Sequence, residues 1–161
     1  MKNIHLVLLQ EEHAREILGW RYPPPYDFYN PPEVATTDAY VRELINPENQ
    51  FHAILDDDSR FLGFCSYGGD GQVPGGDYEL EALDIGLGMK PELTGCGLGD
   101  LFLAAILDHA IQKFDPTIAR MTVANFNKRA LRLYEKFGFS RLDGFEDNLL
   151  KIPYTILIKQ L

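Results

Sequence analysis

The chain has 161 residues, a length typical of one domain with a single substantial core. Apolar residues make up 45% of the sequence and aromatic residues 12%, which excludes the disordered and low-complexity classes. The formal charge of −9 argues against a general nucleic-acid binder, because phosphate backbones require clustered Lys and Arg, and these are scattered here. An acidic surface modestly favours cationic partners. Most of the negative charge has a simpler explanation, which is that like-charged molecules repel one another and stay in solution.

The predicted elements of the first half are a strand at Ile4–Leu9, a helix at Glu11–Leu18, a second helix capped by Thr36 or Thr37 and ending at Ile45, and strands at Phe51–Leu55, Arg60–Tyr67 and Tyr78–Met89. Those of the second half are a helix at Leu101–Phe114, a strand at Ile118–Ala124, a helix at Asn127–Phe137, and strands at Phe139–Leu142 and Tyr154–Lys159 on either side of a turn over residues 143–148. Residues 20–32, called the aromatic segment below, follow neither a helical nor a strand periodicity, because their prolines exclude a regular element. The order predicts one α/β domain over residues 1–161, with a mixed sheet of seven strands and four helices.

Neither the cysteines nor the histidines form a recognisable framework. Cys65 and Cys96 show no disulfide or metal spacing, and the four histidines lack the pairing of a zinc site. The amino terminus enters a strand pattern without the apolar region of a signal peptide, and no apolar run is of membrane-spanning length. The sequence therefore predicts a cytoplasmic protein with no metal, nucleic acid or membrane among its partners.

Three alternating glycines, Gly95, Gly97 and Gly99, lie between a predicted strand and a predicted helix. The backbone amides of such a loop can point outward together, and at a helix N-terminus they attract phosphate, although an ordinary tight turn would use the same residues. A Walker loop would end in Lys-Ser/Thr, which is absent, and a dinucleotide loop has its third glycine three residues after the second. The loop predicts a phosphate-bearing ligand and disfavours a dinucleotide.

The chain contains two blocks of note: residues 94–99, with the three glycines, and residues 123–139, with Asn127, Ala130 and Leu133-Tyr134-Glu135-Lys136-Phe137-Gly138-Phe139. Together they resemble the signatures of the GNAT superfamily of N-acetyltransferases. Thr94-Gly95-Cys96-Gly97-Leu98-Gly99 is similar to the Gln/Arg-x-x-Gly-x-Gly/Ala loop that cradles the pyrophosphate of CoA. Residues 123–139 are similar to the second hallmark, an Asn, then Ala, then Leu-Tyr-Glu-Lys-x-Gly-Phe. The resemblance is close over the second half of the chain and follows the element order in the first. It implies a GNAT-like α/β fold, with a twisted, mostly antiparallel sheet of about seven strands flanked by about four helices.

The resemblance implies acetyl-CoA as co-substrate and an amine of a small molecule or peptide as acceptor, and it leaves a homodimer open. Thr94 departs from the Gln or Arg of the family, which puts cofactor affinity in question. Asn127 is expected both to cap its helix and to contact the CoA arm. The positions expected to bind the cofactor are Leu87, Gly88, Met89, Thr94, Gly95, Cys96, Gly97, Leu98, Gly99 and Asn127.

The resemblance also suggests catalytic residues. Tyr134 is expected to protonate the leaving thiolate, the alternative being a core tyrosine on an amphipathic helix. Glu79 and Glu81 share one face of a predicted strand and Asp84 lies on the other, so a carboxylate or a water held by it can deprotonate the amine. Glu81 is the chosen base, and a solvent-facing acidic edge is the alternative.

Thr122 takes a position where some relatives carry a glutamate, which removes one familiar base. Cys96 has no nearby histidine in the sequence, so direct acetyl transfer is favoured over an acyl-enzyme. In GNAT-like folds the region after the first helix borders the acceptor pocket. The expected aromatic wall comprises Trp20, Tyr22, Tyr26, Phe28 and Tyr29, the alternative being a loop packed over the core. A CoA-binding module without turnover is the competing function.

Overall fold

The computed structural model describes residues 3–31 and 37–161. The helices are α1 (Glu11–Leu18), α2 (Thr37–Ile45), α3 (Gly99–Phe114) and α4 (Lys128–Lys136). The strands are β1 (Ile4–Leu8), β2 (Phe51–Asp56), β3 (Phe61–Tyr67), β4 (Leu83–Met89), β5 (Ile118–Ala124), β6 (Ser140–Glu146) and β7 (Pro153–Gln160). Two expected features, the cap at Thr36 and the end of the aromatic segment at Pro32, lie outside the described residues.

The seven strands form one sheet in the order β1-β2-β3-β4-β5-β7-β6. The pairs β1–β2, β5–β7 and β6–β7 are antiparallel, whereas β4 and β5 are parallel. A parallel pair needs a crossover connection, and α3 supplies it between β4 and β5. Over residues 3–31 and 37–161, these observations confirm the predicted mixed, mostly antiparallel α/β sheet with seven strands and four helices.

The chain divides into two compact units. The first comprises Met1–Cys65 and Leu87–Ile106, and the second comprises Ser66–Gly86 and Leu107–Leu161. The single domain expected over residues 1–161 stays a prediction.

In the first unit, α1 and α2 each bury one face because their apolar residues recur at helical spacing. Ala14 and Ile17 of α1 are buried, as are Val41 and Leu44 of α2. They share one hydrophobic cluster with Leu9, Trp20, Phe51, Ala53 and Leu55. Gly19 is the C-cap of α1.

In the second unit, β5 and β7 pair from Ile118–Gln160 to Ala124–Tyr154. Both strands run through buried apolar positions, so their side chains are removed from water on the pleated surface. The buried apolar residues of these two strands are Ala119, Met121, Val123, Ala124, Ile156 and Leu157.

The predicted long strand Tyr78–Met89 is wrong over its first five residues, because β4 begins at Leu83. Side chains, rather than a strand ladder, hold the backbone before it. The Arg120 guanidinium donates a hydrogen bond from Nη1 to the Leu80 carbonyl oxygen at 2.6 Å. The Tyr78 hydroxyl accepts a hydrogen bond from the Val73 N–H at 2.9 Å. Residues 78–82 are therefore irregular, and Glu79 and Glu81 do not share a strand face.

The last hairpin also differs from its prediction, because β6 continues to Glu146 and the turn follows it. The Asp147 side chain organises this turn by accepting hydrogen bonds from the backbone N–H groups of Leu149, Leu150 and Ile152 at 3.0, 2.8 and 2.6 Å. These hydrogen bonds hold the pKa of Asp147 below its usual value, chiefly through the contact with Leu150.

Candidate functional site

The glycine loop joins β4 to α3 within the first unit. A short 3₁₀ turn at Pro91–Leu93 precedes the loop, and Gly95 and Gly97 follow with φ of 74° and 80°. These are left-handed conformations, which residues with a Cβ adopt only at a cost. A Cβ on Gly97 would meet no atom within 4 Å, so its backbone conformation, rather than crowding, requires glycine there. The sequence correctly predicted a loop that depends on its glycines.

Thr94 forms its hydrogen bonds with the turn that precedes the loop. Its hydroxyl donates a hydrogen bond to the Pro91 carbonyl oxygen at 2.8 Å, and its backbone N–H donates to the same oxygen at 3.2 Å. The side chain that replaces the Gln or Arg of the family thus closes the preceding turn. The backbone amides of the loop remain the groups able to bind an anion there.

The exposed thiol of Cys96 lies 3.7 Å from the Thr94 carbonyl oxygen and 3.8 Å from that of Glu92. Leu98 then leads into α3, and its carbonyl oxygen accepts from the Phe102 N–H at 3.0 Å. The first amides of a helix have no carbonyl partner within it, and the helix dipole favours an anion beside them. Loop and helix start together form an arrangement suited to a pyrophosphate.

The end of β4 is packed against β3 at a distance that only glycine permits. A Cβ on Gly88 would lie 2.3 Å from a ring carbon of Phe64, and a Cβ on Gly63 would lie 2.5 Å from the Gly88 carbonyl oxygen. In the second unit, a Cβ on Gly86 would lie 2.7 Å from Ser66 Oγ. The structure thus shows a close approach at both Gly86 and Gly88.

The aromatic segment contacts the end of β4 through Tyr22. Its hydroxyl donates a hydrogen bond to the Met89 carbonyl oxygen at 2.6 Å, and its backbone N–H donates to Asn30 Oδ1 at 2.7 Å. Burial, assisted by the negative charge of Glu92, raises the pKa of Tyr22 to about 12. The hydroxyl therefore stays protonated at neutral pH and acts as a donor. A residue expected to bind the acceptor and one expected to bind the cofactor are thus brought together.

The other aromatic residues divide between core and surface. Trp20 is only 6% exposed and stacks on Phe61 and Phe64, with ring centroids 5.5 and 6.0 Å away. It is a core residue, and its indole N–H has no hydrogen-bond partner in the described part of the chain. Phe28 and Tyr29 are exposed and meet edge to face at 5.1 Å, while Tyr26 is half-buried. The exposed rings, unlike Trp20, are accessible to a ligand.

Tyr134 and Asn127 lie on the α4 region of the second unit. Asn127 is the N-cap, and its Oδ1 accepts from the Ala130 N–H at 3.1 Å, which confirms the capping prediction. Tyr134 is 7% exposed, and its ring lies 6.1 Å from that of Phe139. Gly138, with φ of 91°, lets the chain turn after the helix.

The predicted base candidates lie in different environments. Glu81 is exposed on the irregular segment before β4. Asp84 is buried on β4 and forms a bidentate ion pair with Arg120, whose Nε and Nη2 lie 2.7 and 2.8 Å from its carboxylate oxygens. Asp84 is therefore occupied by a structural contact, while Glu81 is open to water.

Sequence reasoning missed Arg120 and Tyr78, which fix the segment that carries Glu81. The Arg120 guanidinium carbon lies 4.9 Å from the Tyr78 ring centroid, and the Tyr78 and Thr122 hydroxyl oxygens are 2.9 Å apart. A signal was present, because a single arginine interrupts the apolar strand Ile118–Ala124. A buried arginine requires a carboxylate partner.

Across residues 3–31 and 37–161, the structure contains no group of three or more His, Cys, Asp or Glu side chains placed to hold a metal ion. Over the same residues, no helix combines the length and apolar character needed to cross a membrane.

Solved structures of acetyltransferases share this fold. A spermidine N-acetyltransferase chimera of Vibrio cholerae SpeG and hSSAT superposes with a TM-score of 0.78 at 15% identity, covering 99% of this chain and 96% of that chain. The aminoglycoside acetyltransferase AAC(6')-Ib in complex with coenzyme A gives a TM-score of 0.75 at 17% identity, covering 98% and 95%. At these identities the likeness shows the fold alone, so the chain has an N-acetyltransferase fold.

Residues 12–139 match the model of the Acetyltransferase (GNAT) family, and the chain belongs to that family. This confirms the resemblance carried by the two sequence blocks. A mycothiol acetyltransferase of Acidimicrobium ferrooxidans is 35% identical over 86 residues, which are 53% of this chain and 26% of that protein. The chain therefore spans about a quarter of the length of this curated relative.

Proposed function

We propose that this protein transfers the acetyl group of acetyl-CoA directly to a primary amine of a small molecule or peptide. The observation that carries the proposal is the loop from Thr94 to Gly99, with Gly95 and Gly97 in left-handed conformations between β4 and the start of α3. A loop of outward amides at a helix N-terminus suits a pyrophosphate, and family membership favours the pyrophosphate of CoA.

In this proposal the cofactor residues are those predicted from the sequence, with different roles. The amides of Gly95, Gly97 and Gly99 bind the pyrophosphate, whereas Thr94 stabilises the turn before them. Within the stretch Leu87-Gly88-Met89, the backbone groups of Leu87 and Met89 bind the arm and polarise the thioester carbonyl. Asn127 contacts the arm beyond its capping role. Bound acetyl-CoA would supply an activated acetyl group and a thiolate leaving group.

Two side chains are proposed to move protons. Tyr134 protonates the departing thiolate, a role that suits a phenol shielded from bulk water. Glu81, or a water that it holds, removes a proton from the attacking amine. Its exposure supports access to solvent, and Arg120 holds the neighbouring Leu80 carbonyl in place.

The proposed acceptor is a cationic amine. The chain carries a net charge of −9, and the exposed rings of Phe28 and Tyr29 offer faces that attract cations. Spermidine and aminoglycoside acetyltransferases have the same fold, which makes polyamines and aminoglycosides the first acceptors to examine. Tyr22, Tyr26, Phe28 and Tyr29 form the proposed wall, and Trp20 supports it from the core.

One observation favours a second function, a CoA-binding module without turnover. The Thr94 hydroxyl is bound to the Pro91 carbonyl oxygen, so the loop lacks the long side-chain donor of its relatives. Acetyl-CoA binding without acceptor-dependent release of CoA would identify this module.

Isothermal titration with acetyl-CoA tests the cofactor assignment, with NAD as the control ligand. We expect saturable binding of acetyl-CoA and none of NAD. The absence of acetyl-CoA binding at millimolar concentration, or equal binding of NAD, would contradict the assignment.

A further inference from the structure

The hydrogen bond between Tyr22 and Met89 has a consequence for the backbone at the end of β4. The Tyr22 hydroxyl donates to the Met89 carbonyl oxygen at 2.6 Å, while the N–H of the same peptide unit, that of Lys90, donates to the Leu62 carbonyl oxygen at 2.9 Å. The N–H and C=O of a trans peptide point in opposite directions. This peptide unit is therefore held from both sides.

These contacts also define which edge of β4 each residue faces. Lys90 N–H points to β3, so the Met89 carbonyl points to the opposite edge. Consistently, the Asp84 carbonyl oxygen accepts from the Gly68 N–H, just after β3, at 2.8 Å. In an extended strand the N–H and C=O of one residue face the same neighbour. The amide of Met89, like that of Leu87, therefore faces away from β3.

The edge away from β3 is the one that pairs with β5 at the start of β4. That ladder comprises the pairs Leu83–Ala119 and Asp84–Arg120. Leu87 and Met89 follow on the same edge, and Tyr22 binds the last carbonyl of the strand. A carbonyl oxygen has two lone pairs, so a bond from Tyr22 leaves one for a ligand amide.

We infer that Tyr22 is a positioning residue, whose hydroxyl fixes the Met89–Lys90 peptide so that the Met89 amide faces the edge that binds the acyl-CoA arm. The inference rests on the proposed function. Tyr22 then has two roles that substitutions can separate. Its ring forms part of the acceptor wall, and its hydroxyl holds the backbone at the end of β4. A phenol is protonated throughout the neutral range, so the hydroxyl acts as a donor there.

The test compares Tyr22→Phe, which removes only the hydroxyl, with Tyr22→Leu, which also removes the ring. For Tyr22→Phe we expect the Kd of acetyl-CoA to rise about three- to tenfold, because one hydrogen bond is lost. The KM for the acceptor should stay unchanged, because the ring remains. For Tyr22→Leu we expect both constants to rise. Tyr154→Phe, which removes a hydroxyl from a ring stacked on Phe145 in the second unit, is the matched control and should change neither.

Amide hydrogen exchange supplies a local readout that does not depend on turnover. Exchange of the Lys90 amide should be faster in Tyr22→Phe than in the wild type, with exchange in α1 unchanged. An unchanged or lower Kd of Tyr22→Phe for acetyl-CoA would overturn the inference, a lower Kd meaning that the hydroxyl competes with the ligand. If the wild type binds no acetyl-CoA, the proposed function fails, and unaltered exchange at Lys90 would overturn the positioning role separately.

Discussion

Asp84 and Arg120 form a bidentate ion pair in which Nε–Oδ1 and Nη2–Oδ2 are 2.7 and 2.8 Å apart. The side chains are 4% and 2% exposed, so neither charge is solvated by bulk water. The remaining nitrogen of the guanidinium, Nη1, donates to the Leu80 carbonyl oxygen at 2.6 Å. The pair therefore links β4, β5 and the irregular segment that carries Glu81.

Removing one member of this pair leaves an unpaired buried charge. We expect Arg120→Leu to lower the free energy of unfolding by about 3–5 kcal/mol. The double variant Asp84→Leu/Arg120→Leu should recover part of this loss, because it buries no charge. Arg141→Leu breaks an ion pair between exposed side chains and should cost less than about 1 kcal/mol. Urea unfolding measures all three, and equal losses in Arg120→Leu and Arg141→Leu would contradict the buried pair.

Thr94 is the position at which the cofactor loop departs from the family pattern. Thr94→Gln restores an amide donor of the length found in relatives, so we expect acetyl-CoA affinity to increase about three- to tenfold. Thr94→Val removes the hydroxyl that donates to the Pro91 carbonyl oxygen without adding a donor, and it should weaken binding. Titration calorimetry of both variants checks the sign, and weaker binding by Thr94→Gln would show that closure of the turn matters more than a longer side chain.

Gly88 and Gly97 need to be glycine for different reasons, and alanine substitutions separate them. At Gly88 the added Cβ would lie 2.3 Å from the Phe64 ring, and overpacking of this kind costs about 1–3 kcal/mol. At Gly97 there is space, and the cost of about 1–2 kcal/mol comes from the left-handed backbone.

Phe64→Leu distinguishes the two cases, since a smaller side chain should relieve Gly88→Ala and leave Gly97→Ala unchanged. Thermal unfolding of the single and double variants provides the measurement. Equal rescue of both glycine variants would argue against the crowding at Gly88.

Tyr134→Phe tests the proposed general acid. Without the phenolic proton, kcat should fall about 100-fold, while the Kd of acetyl-CoA stays nearly constant because the ring remains. Tyr154→Phe is the control for loss of the hydroxyl of a half-buried tyrosine elsewhere in the second unit. An unaltered kcat would remove Tyr134 from the mechanism.

The raised pKa of Tyr22 predicts a pH dependence of stability. Its value in the folded protein is about 12, against an ordinary value of 10.0, so the folded state retains a proton that the unfolded chain releases. The contribution of Tyr22 to stability is complete below pH 10 and is lost as the pH rises towards 12. The stability difference between wild type and Tyr22→Phe, followed by urea unfolding, should decrease in this window. A constant difference would contradict the assigned pKa.

The local features of the fold were predictable where sequence periodicity matches burial. Helix α1 has its predicted bounds, because Ala14 and Ile17 mark one apolar face and Gly19 follows it. The start of β4 was not predictable, because alternation at residues 78–82 resembles a strand, whereas long-range contacts from Arg120 hold that backbone.

In the candidate site, too, local features were predictable from the sequence and long-range contacts were not. The glycine conformations of the loop and the cap at Asn127 are local and followed from the sequence. The burial of Trp20 and the contact from Tyr22 to Met89 depend on where a proline-rich segment lies in three dimensions. Composition identifies such a segment as aromatic without indicating which rings face the core.

Direct acetyl transfer to an amine is measured by the release of CoA thiol in the presence of that amine. Purified protein is mixed with acetyl-CoA and, separately, with spermidine, an aminoglycoside, amino acids and peptides, and the products are examined by mass spectrometry. We expect amine-dependent thiol release with one acetyl group added to the amine, at a rate reduced by Tyr134→Phe. Binding of acetyl-CoA without acceptor-dependent release from any amine would contradict direct transfer and favour the module without turnover.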